Sequence, residues 1–195
     1  HASGAAPTPI MHAEIINRIN RLRETEPDLA PRLHILPDFH GNRSPLANPA
    51  ALGVISGMSL DSSFDGLCKL YWRTAVAIAL GVRHILETLN ATGYAIDTLH
   101  VTGGHTRNPL LMELYADATG CTIHELPDAD AMILGTAMAA ATAAGLYPRL
   151  TDAAYTMRHA SVTRTPDLSR KARYDTDYAV FLKMHAHRRE IESML

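Results

Sequence analysis

The residues best placed to do chemistry lie in Val101–Pro109, which reads Val-Thr-Gly-Gly-His-Thr-Arg-Asn-Pro. This segment joins a predicted strand, Thr98–Thr102, to the start of a predicted helix. Glycines without a Cβ let a planar base or a phosphate approach the backbone, and the N–H groups at a helix start favour anions. Asn108 is also a good N-cap before a proline at the first helical position. On this pattern alone, a plain tight turn explains the glycines more simply than a ligand site does.

Two other segments are candidates for ligand contact. The predicted helix Ala131–Ala141 is rich in small residues, which permit close approach of a ligand. Packing of this helix on a sheet would select the same residues and is the simpler interpretation. The loop Asp38–Pro45 places a carboxylate, an amide and the guanidinium of Arg43 within a short span. Either a structural Asp–Arg pair or polar contacts in a cleft would explain that loop.

Other chemistries lack their usual patterns. None of the 11 histidines forms a His-x-x-x-His pair, and there is no Cys-x-x-Cys, so we expect no metal site in the chain. His185 and His187 would point apart on a helix. The chain has no Gly-x-Ser-x-Gly, no Walker-type Gly-Lys-Ser/Thr and no Gly-x-Gly-x-x-Gly. Hydrolases with a nucleophilic serine and Rossmann dehydrogenases therefore lose their main support.

The composition is that of an ordinary globular protein. The chain has 195 residues, of which 47% are hydrophobic, and 18 basic against 20 acidic residues give a formal charge of −2. With no basic excess and no apolar run of about 18 residues, we expect no nucleic-acid partner and no membrane span. Cys68 and Cys121 lie in apolar surroundings, which is typical of buried thiols in a reducing compartment, so we expect a cytoplasmic protein. We expect residues 1–9 to be disordered or vector-derived, and residues 10–195 to form one domain.

Strand and helix patterns alternate along the chain, which predicts an α/β fold. An amphipathic helix is expected at Ile10–Arg23, strands near 33–36 and 53–58, and a long helix after candidate N-caps at 61–63. The long helix carries apolar residues at steps of three and four: Leu67, Tyr71, Ala75, Ile78, Val82, Ile85 and Leu89. A helix from Asn108 to Gly120, a strand at 121–124 and a helix that begins at Asp128 or Asp130 and ends at Gly145 follow. A terminal helix after Arg170 carries an apolar stripe: Tyr174, Tyr178, Phe181, Leu182 and His185.

In their order along the chain, these segments resemble the FGGY carbohydrate kinases from about Leu33 onward. Leu36–Pro45, which reads Leu-Pro-Asp-Phe-His-Gly-Asn-Arg-Ser-Pro, looks like a hallmark of the ribulokinase-like branch of that family. Thr102–Asn108 is similar to the family's adenosine-binding turn, and Ala131–Gly145 resembles the helix that follows it. The resemblance implies a ribonuclease-H-like, actin-like ATPase lobe, namely the C-terminal lobe of a two-lobed sugar kinase, incomplete at its N-terminal side.

The resemblance also assigns site residues. Gly104 and Asn108 fall on nucleotide-contacting positions of the family, and Gly103 on the glycine beside them. The next position is Gly or Ala in the family and His105 here, a departure expected to narrow the adenine pocket or reorient the loop. A second family signature is matched imperfectly, since Gly66 stands where a polar residue is expected.

The implied activity is phosphorylation of a pentulose or related sugar or polyol, such as D-ribulose, with ATP and Mg²⁺. The family draws its Asp-x-Gly-Thr loop and its catalytic Asp from the N-terminal lobe, and no Asp-x-Gly-Thr occurs in this chain. We therefore expect no catalytic residue here, an N-terminal kinase lobe as partner, and an inactive isolated chain; a homodimer is left open. The alternatives are a non-catalytic actin-like module for nucleotide sensing or subunit contact, and a stand-alone α/β binding domain.

Overall fold

The computed structural model describes residues 9–126 and 131–194. The chain divides into two compact units, one formed by the chain up to Thr92 and from Ala172 onward, the other by Gly93–Lys171. Of the segment 1–9 that we expected to be disordered or vector-derived, only Pro9 is described, and the first helix begins there. The helices are α1 Pro9–Thr25, α2 Phe64–Asn90, α3 Pro109–Thr119, α4 Ala131–Ala143, α5 Leu150–Met157 and α6 Lys171–Glu192. The strands are β1 His34–Leu36, β2 Val54–Ser56, β3 Thr98–Thr102, β4 Thr122–Leu126 and β5 Val162–Arg164.

In the first unit, three helices and a small antiparallel ribbon build the core. β1 and β2 pair with Ile35 opposite Ile55. α2 begins as predicted, because Ser63 caps it by accepting a hydrogen bond from the backbone N–H of Gly66. From α1, Ile15, Ile16 and Ile19 are buried.

The buried face of α2 is not the one predicted from the apolar stripe. Of that stripe only Ala75 is buried, while Leu67 and Leu89 are 48% and 39% exposed. The helix instead buries Cys68, Trp72, Arg73, Ala75, Val76, Ala77, Ala79, Leu80 and Leu86. Apolar residues lie on both sides of α2, so periodicity alone does not choose between the faces. The chosen face includes a charged residue, Arg73, which a hydrophobic pattern counts against burial.

On α6, the predicted stripe is confirmed at Tyr174, Tyr178, Phe181 and His185, which are buried, whereas Leu182 is 38% exposed. Two charged residues of this helix, Asp177 and Arg188, are buried among them. Each forms an ion pair, Asp177 with Arg73 and Arg188 with Asp38. Asp177 accepts two hydrogen bonds from Arg73, at 2.9 and 2.8 Å, so the ion pair joins α6 to α2.

The structural Asp–Arg pair expected within the loop Asp38–Pro45 is not formed, because Asp38 pairs with Arg188 of α6 instead. Arg43 is exposed. Asp38 is buried, and its Oδ2 accepts a hydrogen bond from Arg188 Nη1 at 2.5 Å, while Asn42 donates to its Oδ1 at 3.0 Å. The partner lies 150 residues away in sequence, beyond the reach of any local pattern.

In the second unit, a three-stranded sheet is ordered β3-β4-β5. β3 and β4 are parallel, with His100 opposite His124, and β5 is antiparallel to β4. α3 connects the parallel pair and ends, as predicted, at Gly120 in the left-handed conformation. Its buried residues and Ile123 of β4 form the core of this unit.

The interpretation of α4 as a helix packed on a sheet is wrong for this structure. No side chain of α4 is buried, and Met132 and Ile133 are 85% and 69% exposed. The predicted N-caps Asp128 and Asp130 lie outside the described residues. Within the part of the chain that the structure describes, none of the helices is both long and apolar enough to cross a membrane.

Candidate functional site

The glycine turn after β3 is a short 3-10 helix, Gly103–Arg107. Gly103 has a φ of +80°, a conformation that favours glycine. The hydroxyl of Thr106 donates to the carbonyl of Gly103 at 2.8 Å, and the N–H of Asn108 donates to the carbonyl of His105 at 3.0 Å. The backbone is thus held in a defined turn at the carboxyl end of a parallel strand, where open α/β sheets bind ligands.

Asn108 serves the helix that follows the turn. Its Oδ1 accepts hydrogen bonds from the N–H groups of Leu110 and Leu111, at 3.1 and 3.3 Å, and Pro109 occupies the first helical position. The N-cap predicted from the sequence is therefore present. This role does not test the nucleotide contact assigned by the family resemblance, because a capping residue can also meet a ligand.

The space beside the two glycines is open. A Cβ built on Gly103 or on Gly104 would meet no atom of residues 9–126 or 131–194 within 4 Å, whereas a Cβ on Gly66 would lie 2.3 Å from the carbonyl oxygen of Asp61. The φ of Gly104 is not positive. Neither backbone conformation nor crowding by the described part of the chain therefore requires glycine at 104, and the approach of a ligand is one explanation for it.

His105 forms a hydrogen bond with Tyr115, a residue that sequence reasoning missed. The hydroxyl of Tyr115 on α3 lies 2.8 Å from His105 Nδ1, and the two ring centroids are 6.0 Å apart. Tyr115 is buried, and burial raises the pKa of its phenol to about 12. Its spacing of 10 residues from His105 matches no common motif, and only the packing of α3 reveals the pair.

An acidic cluster elsewhere in this unit is structural. Asp117 accepts the backbone N–H of Asp167 at 2.8 Å and lies 3.3 Å from Arg170 Nη1, which also contacts Glu113. Burial raises the pKa of the Asp117 carboxyl. Within residues 9–126 and 131–194, no group of three or more His, Cys, Asp or Glu side chains could hold a metal ion.

The first unit has a groove of about 400 Å³ at the start of α2, for which we made no prediction. Its polar lining includes Ser59, Asp61, Ser63 and Lys69. Asp61 has a local structural role there, because its Oδ1 accepts the backbone N–H of Ser63. Hydrogen bonds from Ser63 also lower the pKa of the Asp61 carboxyl.

Comparison with known proteins gives a consistent assignment. The family model described as the C-terminal domain of the FGGY family of carbohydrate kinases matches residues 11–144. A Xenopus laevis protein named FGGY carbohydrate kinase domain-containing protein is 38% identical to this chain. The matched region is 92% of this chain and 33% of that protein. A ribulokinase of Mycolicibacterium smegmatis is 36% identical over 76% of this chain and 26% of its own length. The chain thus spans about a third or less of the length of these relatives.

Solved structures agree on the fold. The gluconate kinase of Lactobacillus acidophilus superposes with a TM-score of 0.73 at 17% sequence identity. The match covers 94% of this chain and 35% of the gluconate kinase chain. At that identity the likeness shows the fold alone; together with the match to the family model, it confirms the expected fold class. The ribulokinase relatives agree with the branch expected from Leu36–Pro45. The chain therefore belongs to the FGGY family of carbohydrate kinases and carries the C-terminal domain of that family.

Proposed function

We propose that the complete protein is an ATP-dependent kinase for a pentulose or a related sugar or polyol, D-ribulose-like in structure. Residues 10–195 serve as its nucleotide-binding domain, beside an N-terminal kinase lobe. The protein acts in the cytoplasm, where the buried free thiols Cys68 and Cys121 stay reduced. Family membership supports the reaction class, and relatives named ribulokinase support the choice of pentulose.

The observation that carries the nucleotide role is the turn at Gly103, Gly104 and Asn108. It combines a parallel strand end, a capped helix start and open space at two adjacent glycines. This arrangement suits the close approach of an adenosine group to the backbone, with the start of α3 favouring negative charge nearby.

Mg²⁺ and the catalytic base belong to residues outside the described part of this chain. Phosphoryl transfer depends on a phosphate cradle, on metal ions that bridge phosphate oxygens, and on a base that takes the proton of the sugar hydroxyl. The described residues hold no group of three or more candidate metal ligands, and the chain has no Asp-x-Gly-Thr. On the family resemblance, we assign this chain nucleotide binding and no chemical step.

The test is a panel of ketoses and polyols given to the full-length protein with MgATP, with ADP formation as the readout. A pentulose such as D-ribulose is expected to give the highest kcat/KM. Asn108→Ala is expected to weaken ATP binding, measured by calorimetry, because the variant loses both the assigned contact and the cap of α3.

Asn48→Ala is the matched control, since Asn48 lies in a loop of the other unit and also makes a local side-chain hydrogen bond. It should leave ATP affinity unchanged. Unchanged ATP affinity in Asn108→Ala would remove the assignment of that residue. Absence of ADP formation with every substrate of the panel would contradict the kinase proposal itself.

A further inference from the structure

We propose that His105 donates a hydrogen bond from its Nε2–H to the bound nucleotide, and that Tyr115 positions it by fixing the tautomer of its ring. The inference rests on the proposed nucleotide site and deepens it. It concerns the one position of the turn at which this chain departs from the small residue expected in the family.

The first step is the direction of the hydrogen bond between the two side chains. Neutral imidazole has one nitrogen that donates and one that accepts, and a phenol has a single O–H to give. Burial keeps the Tyr115 hydroxyl protonated, with a pKa raised to about 12. If His105 Nδ1 donated, the Tyr115 proton would be left without an acceptor among the described residues, since its hydroxyl makes no other hydrogen bond there.

The favourable arrangement is therefore the opposite one. Tyr115 donates to His105 Nδ1 across 2.8 Å, and the proton of the neutral imidazole lies on Nε2. Tyr115 is only 4% exposed and sits on α3, so its hydroxyl is a rigid donor. The imidazole is anchored at the nitrogen that faces the protein interior, and its other nitrogen is a donor on an exposed side chain.

The second step is the place of that donor. His105 directly follows Gly103 and Gly104, beside which none of the described residues places an atom within 4 Å of a built Cβ. An adenosine group in that space would present acceptors, namely ring nitrogens and ribose oxygens, and no cation. A donor that is already oriented loses little entropy on meeting such an acceptor. His105 thus offers the nucleotide an oriented hydrogen-bond donor, whereas a smaller residue at this position would only leave space for the nucleotide.

The experiment is a double-mutant cycle on the full-length protein, with ATP titrated by calorimetry. His105→Ala should weaken ATP binding by about fivefold to tenfold, the worth of one hydrogen bond. Tyr115→Phe, which removes only the hydroxyl, should weaken it by about threefold, because the ring then loses its fixed tautomer. In the His105→Ala background, Tyr115→Phe should cause no further loss.

The cycle separates positioning from mere packing. If Tyr115→Phe weakened ATP binding equally in both backgrounds, Tyr115 would be structural and the positioning role would be overturned. If His105→Ala bound ATP as tightly as the wild type does, the proposed contact would be overturned, whereas the proposed function would stand. Failure of the wild type to bind ATP would contradict the proposed function. His159→Ala, at an exposed histidine of the same unit, is the control and should bind ATP as the wild type does.

Discussion

Arg73 brings a guanidinium into the interior of the first unit, where its side chain is 3% exposed. Both of its terminal nitrogens donate to Asp177, whose side chain is 1% exposed, and its Nε donates to the carbonyl of Leu33 at 2.6 Å. Arg173 Nε lies 3.3 Å from the same carboxylate. The charges are well compensated, but removal of Asp177 would leave the buried guanidinium of Arg73 without its counter-charge.

Asp177→Asn should therefore destabilise the chain strongly. We expect a loss of about 3–5 kcal/mol in the free energy of unfolding, measured by urea titration, because Arg73 would remain buried without a counter-charge. Replacing both partners by apolar residues, Arg73→Met with Asp177→Leu, should recover much of that loss. A double variant no more stable than Asp177→Asn would contradict this explanation.

The exposed pair Arg149–Asp152 offers a matched control for that experiment. Its atoms lie 2.8 Å apart, similar to the buried pair, but the Arg149 side chain is 75% exposed. Solvent screens such pairs, and we expect Asp152→Asn to leave the unfolding curve nearly unchanged. The comparison separates burial from distance as the cause of the effect.

Two polar residues singled out from the sequence, Asn108 and Asp38, show what local patterns can and cannot predict. Asn108 could be predicted as an N-cap, because capping depends on neighbours in the chain and Pro109 follows it directly. The partner of Asp38 could not be predicted, because Arg188 reaches it only through the packing of a helix 150 residues away. Tyr115 escaped notice for the same reason. Whether Gly103, Gly104 and Asn108 contact a nucleotide stays a prediction.

Among the elements, α6 carries a histidine in an unusual environment. His185 is 3% exposed, packs edge-on against Phe181, and accepts at Nδ1 a hydrogen bond from Arg188 at 3.2 Å. Its Nε2 has no hydrogen-bond partner among the described residues. Burial lowers the pKa of His185 to about 4, helped by the positive charges of Arg188 and Arg189 and by His84, and opposed by Asp38.

This shift makes the stability of the first unit depend on pH. The pKa is about 6.5 in the unfolded chain and about 4 in the folded one, so the unfolded state binds more protons between these values. Stability is therefore full above about pH 6.5 and falls as the pH is lowered toward 4, by at most about 3 kcal/mol from this residue. Urea unfolding measured from pH 4 to 8 should show a smaller pH dependence in His185→Gln than in the wild type.

The control for this experiment lies two residues further along the same helix. His187 is exposed, and His187→Gln should keep the pH dependence of the wild type. Part of the dependence should survive in His185→Gln too, because burial also lowers the pKa of His34 and of His84. Equal pH dependence in the two variants would exclude His185 as a source.

Ends of elements proved easier to predict than their buried faces. Ser63 and Gly120 mark the start of α2 and the end of α3 through local hydrogen bonds and backbone conformation, which neighbouring residues determine. The inward face of α2 is selected by tertiary packing around Arg73, and the exposure of α4 also depends on what lies against it. Hydrophobic periodicity carries no information about either.

At the scale of the whole molecule, the comparisons assign this chain one domain of a family whose listed members are longer. The chain spans about a third of the length of its relatives, and the matched family domain is a C-terminal one. The ordered sequence motifs were enough to predict the family and the α/β class, because they combine several local patterns over most of the chain. The division into two compact units depends on long-range contacts that no motif encodes.

The last prediction concerns the isolated 195-residue chain. With ribulose and MgATP, measured by a coupled ADP assay, we expect no turnover above a blank without protein. Nucleotide binding alone does not lower the barrier, because the reaction also depends on bridging metal ions and on a base for the sugar hydroxyl. The full-length protein in the same assay is the positive control. If the isolated chain formed ADP and this activity disappeared in Asn108→Ala, the prediction would be wrong. The catalytic groups would then lie among the residues between Ile10 and Leu195.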